Sequence, residues 1–193
     1  MPKKLILESI DPRHLLVKVA EILEELDVKY AVTGGMAVFV WGSPRFTADI
    51  DIVVQLRKED VERLMVALER LSKISYINKD AMHWALERHG EFNFIDGVSG
   101  IKVDFFVLGE GAFERDQLHR RIAREVLGEK VFFVSPEDLI LSKLRWHKEG
   151  GSSRQLEDVE SVLKMEKKLD MKYIQKWAKI HFTDKIFESL RKW

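Results

Sequence analysis

The sequence predicts an α/β (α+β) fold, a mixed sheet flanked by helices and followed by a helical extension at the C-terminus. Three observations predict it. Short runs rich in β-branched and aromatic residues recur at 29–33, 49–55, 91–96, 101–108 and 130–134. Helical periodicity falls between several of these runs, and from Ser135 onward it is the only pattern left. The expected division is residues 1–134 as the α/β domain and 135–193 as a helical region packed on it.

Asp11-Pro12 reads as a helix start, an N-cap side chain followed by proline at the first helical position. Leu15, Leu16, Val19, Ile22, Leu23 and Leu26 then recur at helical spacing, so 11–27 should be an amphipathic helix. Residues 29–33 read as a strand running into Gly34-Gly35, and Met36 to Trp41 as a buried turn or two of helix. After the 49–55 strand, Val61, Leu64, Met65, Leu68 and Leu71 mark a helix over 58–72, and 80–89 reads as a shorter one. Strands at 91–96 and 101–108 are joined by Gly97-Val98-Ser99-Gly100, a hairpin signature. Residues 112–128 are ambiguous, and 130–134 reads as a further strand. Ser135-Pro136-Glu137-Asp138 is a capping box that opens a helix running to Gly150-Gly151, with helices over 153–168, 170–180 and 183–191 beyond it.

Of the 193 residues, 46% are hydrophobic and 33% charged, the balance of a folded globular chain rather than a disordered one. Thirty-two basic residues balance thirty-two acidic ones, which removes any global electrostatic case for nucleic-acid binding. A local basic excess runs from Lys164 to Lys192, and solvated helix faces account for it. With no cysteine there is no disulfide, thiolate zinc site or cysteine nucleophile. The start, Met-Pro-Lys-Lys-Leu-Ile-Leu-Glu, lacks the apolar core of a signal peptide, and no run is long enough to span a bilayer, so the expected location is cytoplasmic and no membrane partner is expected.

The chemistry concentrates in Asp49-Ile50-Asp51-Ile52-Val53-Val54-Gln55. In a strand, positions two apart share a face at roughly 6.6–7 Å, so both carboxylates point one way while Ile50, Ile52 and Val54 anchor the other face. Asp104 lies among apolar residues in Ile101-Lys102-Val103-Asp104-Phe105-Phe106-Val107, where an unpaired carboxylate is costly and needs a counter-charge or a metal. Three clustered carboxylates repel one another unless a divalent cation holds them, and magnesium is the simplest candidate.

Gly34-Gly35, Asp49, Asp51 and Asp104, in that order, resemble the signature of the DNA polymerase beta-like nucleotidyltransferase superfamily. More narrowly, Gly34-Gly35-Met-Ala, Pro44-Arg45-Phe-Thr47-Ala-Asp-Ile-Asp-Ile-Val, Ser135-Pro-Glu-Asp-Leu-Ile-Leu-Ser-Lys143 and Arg154-Gln-Leu-Glu-Asp158 resemble the small prokaryotic nucleotidyltransferases, some of which belong to toxin-antitoxin pairs. The resemblance covers roughly 28–165. It implies a nucleotidyltransferase-like sheet and transfer of a nucleoside monophosphate from an NTP to a hydroxyl acceptor, with release of pyrophosphate. It also implies two Mg2+ ions (or Mn2+) on Asp49, Asp51 and Asp104, an RNA, protein or small-molecule acceptor, and a cognate toxin or antitoxin partner. The alternative is a catalytically silent nucleotide- or partner-binding module of a toxin-antitoxin pair. A metal-dependent nuclease fits less well, because the glycine turn would then have no task.

The remaining candidates carry two readings each. Gly34-Gly35 serves either a tight turn or a turn that lets a phosphate approach backbone N–H groups. Arg45 and Thr47, in the loop before the acidic strand, are within reach of a phosphate, or Arg45 is an ordinary surface arginine. Lys143 falls in the apolar stripe of its helix beside Leu139, Ile140 and Trp146, so it either snorkels to solvent or reaches a cleft where it neutralises triphosphate charge. Arg154 and Asp158, one turn apart, are either nucleotide-site residues or a surface ion pair. The six histidines lack metal-ligand spacing, and the five tryptophans read as core rather than as a base-stacking platform.

Overall fold

The computed structural model describes residues 11–72 and 74–191. The reading of the first eight residues, the end of the local basic excess at Lys192 and the core reading of Trp193 lie outside them.

Helix α1 (Pro12–Glu25) begins where the sequence sets it: the Asp11 side chain accepts from the Arg13 N–H, and Pro12 needs no partner for a missing donor. Its apolar stripe, including Leu16, Val19 and Leu23, is buried. Strand β1 (Lys29–Val32) runs into α2 (Gly34–Trp41), a two-turn apolar helix that buries all but Phe39 and Val40, Phe39 standing exposed. Strand β2 (Ile50–Gln55) follows, then α3 (Asp60–Leu71), β3 (Ser75–Ile77), α4 (Lys79–Arg88), and the hairpin β4 (Glu91–Asp96) and β5 (Lys102–Val107). In the hairpin turn, Asp96 accepts from the Ser99 N–H at 3.0 Å, and Gly100 takes the positive φ of 73° that the turn requires.

The ambiguous stretch 112–128 resolves into α5 (Ala112–His119) and β6 (Ile122–Val126), which pairs with β7 (Glu129–Phe133). Strand β6 forms the edge of the sheet with a mostly exposed middle, so it never shows the alternation that marks a half-buried strand. Strand β3 has no counterpart among the expected strands; at three residues on the opposite edge it is too short to carry a period.

The seven strands lie in the order β3-β4-β5-β2-β1-β7-β6. Strands β2 and β5 run parallel, as do β1 and β7, and the other neighbours are antiparallel. The centre of the sheet is dry: Tyr30, Val32, Ile50, Ile52, Val103 and Phe105 are fully buried.

Helix α6 (Pro136–Gly150) opens on Ser135, whose hydroxyl accepts from the Asp138 N–H at 3.1 Å, and stops at Gly151 with φ 69°. Helices α7 (Ser153–Met165), α8 (Met171–Ile180) and α9 (Asp184–Leu190) complete the described residues. Both α6 and α7 pack on α2, which brings the helical part against the glycine turn. Of the tryptophans, Trp41 and Trp177 are buried as expected, but Trp84 is exposed, its ring covered on one face by Arg88.

Candidate active site

The site is built on β2. Its outward face carries Asp51, while Ile50, Ile52 and Val54 lock the strand into the core. Asp49 stands one residue ahead of the strand and is exposed; its carbonyl accepts from the Thr47 hydroxyl at 3.2 Å. Across the parallel β2–β5 ladder Asp51 is in register with Asp104, which places both carboxylates on one face at the spacing of adjacent strands.

The glycine turn closes against this pair. The Thr33 N–H donates to the Asp51 carbonyl at 2.8 Å, and the Gly35 N–H favours the charged form of the Asp51 carboxylate. Gly34 takes φ +59°, and a Cβ there would overlap the Asp51 carboxylate. A Cβ on Gly35 would meet the Thr47 hydroxyl at 2.5 Å. Side chains are thus excluded at both glycines by close approach, and the tight-turn reading alone does not account for them. Thr33 Oγ1, beside the turn, is buried without a hydrogen-bond partner.

Burial, and then the charge of Asp104, push Asp51 above the ordinary carboxylate range, while Lys143 and the Gly35 N–H oppose the shift. Asp104 has its own counter-charge: Lys102 Nζ lies 2.6 Å from Oδ2. Among the described residues no three His, Asp or Glu side chains converge closely enough to form a ready cation cage. Asp49, the third candidate, lies outside the strand, and Lys102 pairs with Asp104. The donor chemistry still fits a hard divalent cation: two carboxylates are side by side, and among the described residues no ammonium is in salt-bridge contact with Asp51, the nearby lysines Lys102 and Lys143 being paired with Asp104 and Asp158.

Lys143 does not snorkel. It is 3% exposed and its ammonium lies 2.8 Å from Asp158 Oδ2. Burial pulls its pKa down, and the charges of Asp158 and Asp51 work against that. Asp158 is equally buried, which rules out the surface ion pair with Arg154. Its partners are Lys143 and Arg45, whose Nε and an Nη donate to the two carboxylate oxygens at 2.7 and 2.8 Å. Burial alone would raise Asp158, but these two cations outweigh it and hold the carboxyl below its ordinary range. The Arg45 fork expected to meet phosphate therefore grips Asp158 and ties the 43–47 loop to α7. Arg154 stays exposed, with a 3.5 Å contact to the Phe46 carbonyl. A groove of about 660 Å³ adjoins the site, lined in part by Met36, Phe39, Arg45, Phe46 and Leu127.

The structure thus brings together Gly34, Gly35, Thr47, Asp51 and Asp104 on one side and Arg45, Lys143 and Asp158 on the other, with Arg154 at the rim. Sequence reasoning missed Lys102, although its position two residues before Asp104 already put both on one face.

The sequence matches the family model "Nucleotidyl transferase AbiEii toxin, Type IV TA system" over residues 19–181. The chain belongs to that family of nucleotidyltransferase enzymes. Comparison with curated proteins gives no match. Among solved structures, ANT(2")-Ia in complex with adenylyl-2"-tobramycin aligns with a TM-score of 0.59 at 16% identity, over 89% of this chain and 97% of that one. An antigenic nucleotidyltransferase-like protein from Paracoccidioides brasiliensis aligns at 0.55 and 16%, over 92% and 90%. The lincosamide antibiotic adenylyltransferase LnuA, lincomycin-bound, aligns at 0.51 and 15%, over 76% and 92%. At these identities the likeness establishes the nucleotidyltransferase fold. No helix among the described residues is long and apolar enough to cross a membrane.

Proposed function

We propose that this AbiEii-family enzyme binds an NTP with its triphosphate over the Gly34-Gly35 turn and transfers the nucleoside monophosphate to a hydroxyl acceptor. The observation that carries this reading is the Asp51–Asp104 register pair closed by a glycine turn that admits no side chain. In this reading Asp49, Asp51 and Asp104 would hold magnesium, which would supply charge neutralisation for the triphosphate and a more acidic acceptor hydroxyl.

The chain's own residues do the rest by position and charge. The N-terminus of α2 turns its positive end toward the phosphates. Lys143, buried between the charges of Asp158 and Asp51, adds a fixed cation at the junction of the α/β part (1–134) and the helical part (135–193). Asp158 is a positioning residue for Lys143 and Arg45, and Asp104 accepts the proton of the acceptor hydroxyl. The acceptor oxygen forms a bond to the α-phosphorus as the bond to the bridging oxygen breaks and pyrophosphate leaves. The partner proposed on the family description is a cognate antitoxin.

The test is transfer of label from each α-labelled NTP to pools of RNA, protein and small hydroxyl compounds, with wild type, Asp51→Asn and Asp104→Asn. Labelling by wild type alone supports the reading. Full transfer by either variant sinks it. Magnesium-dependent nucleotide binding without turnover on any pool identifies a silent module instead.

A further inference from the structure

Strand alternation puts Lys102 and Asp104 on one face of β5, opposite the buried Val103 and Phe105. The ammonium lies 2.6 Å from Asp104 Oδ2, and the side chains are 39% and 15% exposed, so the pair sits at the mouth of the carboxylate cluster. Among the described residues the neighbouring Asp51, in register with Asp104, has no contact of this kind; Lys143, the cation acting on it, is held by Asp158. A cation that approaches Asp104 Oδ2 meets an oxygen already paired with an ammonium.

We propose that Lys102 is a built-in counter-ion that stands at the cation position of Asp104 in the unloaded protein and is displaced when a divalent cation binds. This rests on the reading of Asp104 as a cation ligand. Loading is then an exchange of one cation for another. A flexible four-carbon stem lets the ammonium leave without backbone movement, and its partial exposure gives it somewhere to go. The exchange weakens binding of a bare cation. It favours a cation that arrives with an NTP, because the triphosphate offers the released ammonium a new partner.

The experiment uses the full chain without nucleotide. Mn2+ is titrated by calorimetry and by its free-ion paramagnetic resonance signal, against wild type, Lys102→Met, Lys102→Gln, Lys102→Arg and Asp104→Asn. The ε-ammonium resonance of Lys102 is followed by nitrogen-15 NMR as Mg2+ is added. Lys102→Met and Lys102→Gln should bind Mn2+ about fivefold tighter, the scale of a half-exposed ion pair, and Lys102→Arg should match wild type. The Lys102 resonance should shift on saturation, which a residue lending only background charge would not show. Equal or weaker binding by both neutral variants, measured on samples with wild-type circular dichroism, overturns the proposal, and so does an unmoved resonance. If Asp104→Asn binds Mn2+ as well as wild type, Asp104 is no ligand, and the underlying site reading fails instead.

Discussion

Asp51 and Asp104 occupy one register position on two neighbouring parallel strands, so two carboxylates leave the sheet side by side, about 4.8 Å apart at the backbone. Hydrophobic packing behind β2 and β5 holds them there whether or not anything neutralises them. In the unloaded state Lys102 offsets the charge of Asp104, whereas burial and then the Asp104 charge both disfavour ionised Asp51, and that cost is measurable.

Asp51→Asn removes a charge that burial and Asp104 both disfavour. In chelator its thermal midpoint should rise above that of wild type, while nucleotide transfer should fall on the order of 10²- to 10³-fold or more. Calorimetry in EDTA and a labelled-NTP assay check the pair of outcomes. A lower midpoint would show that the charged carboxylate supports the unloaded fold.

Asp158 neutralises Lys143, which is itself buried. Asp158→Ala leaves that ammonium without its contact partner and should cost about 3–5 kcal/mol in urea unfolding. Adding Lys143→Met to the same chain should recover most of the loss. If the double variant is no more stable than the single one, the burial cost of Lys143 is not what Asp158 offsets.

The two glycines should separate. Gly34→Ala forces a Cβ onto the Asp51 carboxylate at a left-handed φ, so destabilisation of about 1–2 kcal/mol or more is expected together with loss of transfer. Gly35→Ala has no left-handed φ to strain and meets the Thr47 side chain, its hydroxyl at 2.5 Å and its Cβ at 2.8 Å, in a loop that can shift, so it should cost less stability. Equal unfolding midpoints for the two variants would contradict this ordering.

Two groups contribute to the pH dependence of stability with opposite sign. Burial first, then Arg145, push His181 down to about 4, so between 6.5 and about 4 an unfolded chain binds a proton that the folded one refuses; acidification there lowers stability. Burial pushes Asp138 up to about 6 against hydrogen bonds from Ser135 and Tyr173, so between about 6 and 3.8 the folded chain binds the extra proton and acidification adds stability. Relative to wild type, His181→Asn should therefore gain thermal stability between about pH 7 and pH 5, and Asp138→Asn should lose it. Parallel curves for all three proteins would contradict both assignments.

Much of this molecule is legible because its signals are local. Pro12 after Asp11, Ser135 before Pro136 and Gly151 after α6 mark helix ends that the structure reproduces within a residue or two, since caps depend only on near neighbours. The central strands β2 and β5 announce themselves through Ile50, Ile52, Val103 and Phe105, whose burial leaves a period in the sequence. Edge strands such as β3 and β6 leave none, because a strand with one neighbour has little face to hide.

By itself the sequence determined the family, the glycine turn, the acidic strand and the presence of a third carboxylate on another strand, because each is written in residue types at fixed chain spacing. Only the tertiary structure decided the pairings. Asp158 lies four residues from Arg154 yet meets Arg45, distant by 113 positions, because α7 turns that carboxylate inward against the 43–47 loop. Asp104 stands beside Asp51 because a parallel ladder fixes their register, whereas the Lys102–Asp104 contact follows from strand alternation alone. Charge partners are chosen by distance in space after the core has set the backbone, and chain spacing does not encode that distance.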